Sequence, residues 1–122
     1  MKVLLADDNA EVRSALRLLL EQDHLPVAVL EASDMQGLLA NLSEDCPMVV
    51  LLDWELPGLH KSDVSMMLRS RCPGMKVIAL SSIFEARREA LSKGVDAFIS
   101  KAEPPEKILY TLRSLIPHIT SN

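Results

Sequence analysis

The sequence predicts an α/β domain built on an open parallel sheet with helices on both faces. Five short apolar runs alternate with five segments whose apolar residues recur at helical spacing. Aromatic residues are only 3% against 48% hydrophobic residues, so the core must be aliphatic, which favours helices packed on a sheet. A chain of 122 residues suits one domain, 1–122, with a single core. Strands joined in succession by helices run parallel with right-handed crossovers.

The first strand is KVLLA (2–6), followed by a helix carrying Val12, Ala15, Leu16, Leu19 and Leu20, which Asn9 or Asp8 can cap with a side-chain oxygen. The second is VAVLEA (27–32). It begins after Pro26 and contains Glu31, so it is the expected edge strand. Its helix carries Met35, Leu38, Leu39 and Leu42 behind Ser33 or Asp34. The third strand, MVVLL (48–52), holds four apolar residues in a row, Val49 to Leu52, and so reads as buried on both faces. Val64, Met67 and Leu68 follow on a helix behind Ser62 or Asp63. The fourth strand, KVIAL (76–80), leads to Ala86, Ala90 and Leu91, with Gly94 as the glycine that ends their helix. The fifth, AFIS (97–100), leads to Pro104 and Pro105 in the expected first turn of a helix carrying Ile108, Leu109, Leu112 and Leu115. Strands 1, 3, 4 and 5 read as central. The terminal IPHITSN loses its apolar pattern after Ile116-Pro117, where the domain is expected to close.

Composition narrows the function classes. Net charge is -4 with both signs interspersed, so the basic footprint of a nucleic-acid binder is missing. No apolar run approaches the roughly 20 residues of a membrane span, and Met1 leads straight into a strand rather than a signal sequence. A cytoplasmic protein without a membrane partner is expected. Cys46 and Cys72 each precede a proline ahead of a strand, so neighbouring strands would bring the thiols close. A cytosolic setting keeps thiols reduced, and no disulfide is expected. His24, His60 and His118 lack metal-ligand spacing.

In an open parallel sheet, function gathers outside the carboxyl ends of the strands. Strand 1 ends in Asp7-Asp8, strand 3 in Asp53, strand 4 in Ser81-Ser82 and strand 5 in Ser100-Lys101. Three carboxylates on one rim repel each other unless a cation joins them, and an all-oxygen set suits Mg²⁺. A carboxylate beside such a metal can accept a phosphoryl group as an acyl phosphate. Lys101 would add positive charge and Ser81 a hydrogen bond to the phosphoryl oxygens.

These residues resemble the receiver domains of two-component response regulators, over the whole chain. The carriers are DD at 7 and 8, Asp53 with Pro57 four residues on, Ser81 after VIAL, and Lys101 after AFIS. The resemblance implies a flavodoxin-like (βα)5 fold with strand order 2-1-3-4-5. It implies a histidine kinase partner that passes a phosphoryl group to Asp53 in a Mg²⁺-dependent step. The implied metal ligands are Asp8 and Asp53, with Asp7 assisting and the backbone carbonyl of Glu55 as a further ligand. Lys101 would pair with Asp53, Ser81 would move toward the new oxygens, and Phe98 matches the aromatic switch that turns inward as the hydroxyl moves. Output would pass through the helix 4, strand 5, helix 5 face to a C-terminal output domain or an effector, with homodimerisation on phosphorylation. The implied role is a signalling module that catalyses only its own phosphorylation and dephosphorylation.

The match departs in three places. Ala102 follows Lys101 where many receivers have a proline and a cis bond, so Lys101-Ala102 is either strained or trans. Members with a C-terminal helix-turn-helix output domain often lack that proline too. His60-Lys61 replaces the common Asp-Gly, and Glu55 is an acidic residue beside the site whose side chain is expected to compete for the metal or the attacking water.

Plainer readings stand beside these. Asp7-Asp8 can serve as a helix cap, Lys101 as a solvated lysine, Ser81 as a loop hydroxyl in competition with Ser82, and Phe98 as core. Trp54 is expected to be a partly exposed ring flanking the site. Arg87, Arg88 and Tyr110 form either a solvated face or an output surface. The rivals are an aspartyl phosphohydrolase, for which the chain lacks a cap, and a receiver-like interaction module that works without phosphorylation. A flavin protein would need a hydroxyl- and glycine-rich cradle where this chain has DDNAE.

Overall fold

The computed structural model describes residues 1–42 and 45–119. Its strands are β1 (Lys2–Ala6), β2 (Ala28–Ala32), β3 (Val49–Asp53), β4 (Lys76–Ser81) and β5 (Ala97–Ser100), all parallel in the order β2-β1-β3-β4-β5. The helices α1 (Ala10–Gln22), α2 (Met35–Ala40), α3 (Val64–Arg71), α4 (Ala86–Ser92) and α5 (Glu106–Leu115) connect and close them.

Strand alternation splits the core in two. Leu4, Ala6, Val50 and Leu52 face a cluster with Leu38 of α2, Leu68 of α3 and Ala90 of α4. Val3, Leu5, Val49 and Leu51 face Leu16 and Leu20 of α1 and Ile108 and Leu112 of α5. Because both pleat faces are covered, β3 reads as an unbroken apolar run from Val49 to Leu52, and every residue of it, Asp53 included, is buried.

Several local expectations need correction. The apolar run of strand 5 reads as central, yet among the described residues β5 pairs with β4 alone, at the edge that the order 2-1-3-4-5 implies. It reads as apolar because Phe98 packs into the cluster with Ala90 of α4, and Ile99 into that with Ile108 of α5. An apolar strand reports burial of its faces, not pairing on both sides. Asn9 caps α1, accepting from the amides of Glu11 and Val12, and Asp34 caps α2 through Gly37 N–H. Asp63 stands before α3 without a side-chain cap bond. Pro105 occupies the N-cap position of α5 rather than a place in its first turn. The core does not close at Ile116-Pro117, since Pro117–Ile119 form a 3-10 turn that buries Ile119 completely. The rest of IPHITSN lies outside the described residues.

Cys46 and Cys72 are joined in a disulfide, against the expectation of reduced thiols. The register explains their meeting. Val49 pairs with Lys76, so the segments leading into β3 and β4 run side by side and hold the two Cα atoms 5.7 Å apart. No helix among the described residues is long and apolar enough to cross a membrane.

Candidate functional site

The strand order reverses between β1 and β3, and the carboxylates collect there. Asp7 follows β1 and Asp53 ends β3; they are 2% and 3% exposed, whereas Asp8 is exposed. Carboxylate oxygens of Asp7, Asp8 and Asp53 all lie within 4.8 Å of one another. That donor set fits a hard divalent cation such as Mg²⁺: all oxygen, converging, and with two members withdrawn from water.

The backbone aims these groups. Asp7 accepts from Asn9 N–H at 2.9 Å, so the residue that caps α1 also orients the first carboxylate. Arg13 donates to the Asp7 carbonyl and, with Arg17, to Glu31 on β2. Asp53 accepts from Glu55 N–H at 3.0 Å. Beyond it, Pro57 carbonyl accepts from Met35 N–H, and Gly58 turns at φ +85°, where an added Cβ would meet that of Met35 at 3.1 Å.

Lys101 supplies the cation. Its ammonium donates to Asp7 Oδ2 at 2.7 Å and stands 3.6 Å from Asp53 Oδ1. The ion pair expected with Asp53 is present, but the closer bond goes to Asp7. Burial pushes the Asp53 carboxyl above its usual range; its bond from Glu55 N–H and the Lys101 charge pull down, and the charges of Asp7 and Glu55 push up. Burial alone would lower Lys101, but its hydrogen bond to Asp7 and the charges of Asp53 and Asp7 leave it raised. The peptide bond between Lys101 and Ala102 is trans. The turn is closed by Glu103, whose carboxylate accepts from Ser100 N–H at 2.8 Å.

Ser81, and not the exposed Ser82, is the rim hydroxyl: it is fully buried and accepts from Ile83 N–H at 2.9 Å. It donates to the Glu55 carboxylate, with both oxygens at 3.0 Å. Glu55 is thus outside the carboxylate cluster, and its side chain contacts the hydroxyl. Phe98 is 5% exposed and packs inward with the core.

Trp54 corrects another expectation. The ring is completely buried, its Nε1–H donates to Glu89 at 2.8 Å, and Lys61 lies over it at 5.7 Å. Trp54 continues the alternation of Val50 and Leu52 into the same cluster, and the buried indole N–H then needs an acceptor. Tyr110 is 67% exposed and Arg87 and Arg88 are also exposed. Arg13, Glu89 and Glu103 escaped sequence reasoning; each is an ordinary helical or loop charge until the fold brings its partner near.

A doubly wound sheet of this order defines a flavodoxin-like domain, with carboxylates, a hydroxyl and a lysine collected on the rim at the carboxyl ends of its strands. The chain belongs to the response regulator receiver domain family, whose model matches residues 3–113. It is 31% identical over 118 residues to the transcriptional activator protein ExaE of Pseudomonas putida, covering 95% of this chain and 55% of that protein. Identity to the phosphate regulon regulatory protein PhoB of Escherichia coli is 28% over 124 residues, covering 98% and 53%. The chain therefore spans about half the length of these curated relatives. Among solved structures, the chemotaxis response regulator CheY4 of Vibrio cholerae shares the fold with a TM-score of 0.81 at 23% identity, covering 94% of this chain and 98% of that one. Receiver domains bind Mg²⁺ at an acidic pocket and partner with histidine kinases and output domains.

Proposed function

We propose that this chain is the phosphoacceptor domain of a two-component system, with Asp53 receiving a phosphoryl group from a histidine kinase. The observation that carries the reading is the meeting of Asp7, Asp8 and Asp53 within 4.8 Å beside the Lys101 ammonium. A buried carboxylate beside a fixed cation, at the open rim of a sheet, is suited to in-line attack on phosphorus.

In the step, an Asp53 oxygen forms the new P–O bond while the P–N bond to the kinase histidine breaks and its electron pair returns to the imidazole. Asp7, Asp8 and Asp53 would hold Mg²⁺, with the Glu55 carbonyl as a further ligand; bound there, Mg²⁺ offsets the charge of the incoming oxygens. Lys101 provides a second positive charge, and the Glu55 N–H keeps the Asp53 carboxylate oriented. The phosphoryl group carries about -1.5 to -2 charge where the free carboxylate carried one negative charge, so the rim becomes more negative and gains new acceptor oxygens. Ser81 would then follow the new oxygens, the loop after β4 would shift, and Phe98 would bias the α4–β5–α5 face between two arrangements. That face, with Tyr110, Arg87 and Arg88, would address an output domain, an effector or a second copy; the domain's chemistry is confined to its own phosphorylation and dephosphorylation.

A second reading, a receiver-like module independent of phosphorylation, is favoured by one observation: the Ser81 hydroxyl is already engaged by Glu55. Incubation with Mg²⁺ and acetyl phosphate, read by intact mass beside Asp53→Asn, separates the two. Gain of one phosphoryl group in the parent alone supports the acceptor role; no gain in either protein favours the module.

A further inference from the structure

The rim holds one contact that the transfer step does not use. Ser81 is fully buried at the end of β4, and its oxygen sits between two partners: it accepts from Ile83 N–H at 2.9 Å and faces both Glu55 oxygens at 3.0 Å. A serine hydroxyl has a single proton to donate. With that proton given to Glu55, none is left for another acceptor. Glu55 is itself tied to the acceptor, because its N–H donates to Asp53 Oδ1 at 3.0 Å, and it is an exposed residue.

From this we infer that Glu55 is a positioning residue that holds the Ser81 hydroxyl and competes for it with the phosphoryl group on Asp53. The inference rests on the phosphoacceptor reading for the competitor, and on the Ser81–Glu55 contacts for the hold. A phosphoryl oxygen and the Glu55 carboxylate seek the same proton, and both are anions, so the hydroxyl reaches the phosphoryl group only as the carboxylate leaves. Phosphorylation therefore carries the cost of one charge-assisted hydrogen bond, which removal of Glu55 abolishes. Charge repulsion by Glu55 would also slow phosphorylation, but that effect does not pass through Ser81.

A double-mutant cycle separates the two routes. The initial rate of phosphorylation by acetyl phosphate with Mg²⁺ is read by intact mass for the parent, Glu55→Ala, Ser81→Ala and the double variant. Competition for the hydroxyl predicts that Glu55→Ala speeds the parent roughly fivefold and the Ser81→Ala protein less than about twofold. An equal gain in both backgrounds overturns the competition and leaves the phosphoacceptor reading intact. No phosphorylation of the parent overturns the competition together with that reading. The hold on Ser81 has its own readout in the unphosphorylated proteins: the Ile83 amide NMR signal should shift on Glu55→Ala, and show no further shift once Ser81 is alanine. An Ile83 signal unmoved by Glu55→Ala overturns the hold.

Discussion

The Lys101 ammonium donates to Asp7 at 2.7 Å, while Asp53, the proposed acceptor, stands 3.6 Å away. One cation from the end of β5 thus serves two buried carboxylates, and the closer bond is to the one on β1. Lys101→Met leaves both carboxylates without it. The expected loss is about 2–4 kcal/mol, less than for a fully buried pair because the lysine side chain is 26% exposed. Since its pKa is raised in the fold, Lys101 contributes fully below its ordinary value of 10.5 and loses that contribution as pH rises through the higher folded value. Urea unfolding of the two proteins at pH 7 measures the difference; a loss below about 0.5 kcal/mol would mark the pair as an ordinary surface contact.

Asp53→Asn should stabilise the metal-free protein. Burial, the largest influence on Asp53, raises its carboxyl above the ordinary value of 3.8, so the fold binds this proton more tightly than the unfolded chain does. Stability from this residue accordingly falls as pH rises from that value through the raised one, and at pH 7 the ionised carboxylate opposes folding. Thermal unfolding without Mg²⁺ at pH 7 should show a higher Tm for the Asp53→Asn variant than for the parent, by about 4 °C for each kcal/mol gained. A lower Tm would mean that pairing with Lys101 outweighs burial.

The opposite sign applies on β2. Glu31 accepts from Arg17 and Arg13, which hold its carboxyl below the ordinary value of 4.5. Its contribution is present above 4.5 and lost as pH falls through the lower folded value. Because the Glu31 side chain is 33% exposed, Glu31→Gln should cost only about 0.5–1 kcal/mol at pH 7. The gap between variant and parent should narrow in an acid titration below that window; a constant gap down to about pH 2 would assign the cost to packing instead.

Closing the Cys46–Cys72 loop, a sequence separation of 26, should stabilise by about 3.5 kcal/mol through the entropy of the unfolded chain. Reduction with dithiothreitol is expected to lower the Tm of the parent and leave the Cys46→Ser, Cys72→Ser double variant unchanged. A parent insensitive to the reductant, with two free thiols by alkylation and mass, would show that the bridge does not form in solution.

The βα alternation was legible without coordinates because both of its signals are local, a short unbroken apolar run for a strand covered on both faces and a period of about 3.6 residues for a helix. The rim was legible for the same reason: Asp7, Asp8, Asp53, Ser81 and Lys101 each follow an apolar run, and parallel strands bring such positions to one end. What no run of residues announces is which of these groups touch. Lys101 lies 94 residues from Asp7, Trp54 lies 35 from Glu89, and Ser81 lies 26 from Glu55. Those pairings arise from strand order, register and the direction of a few side chains, so the disulfide and the buried indole both ran against expectation. Local propensity and patterning chose the elements and their order, whereas the choice of partner for each polar group came from packing, where a fraction of an ångström decides which hydrogen bond is made.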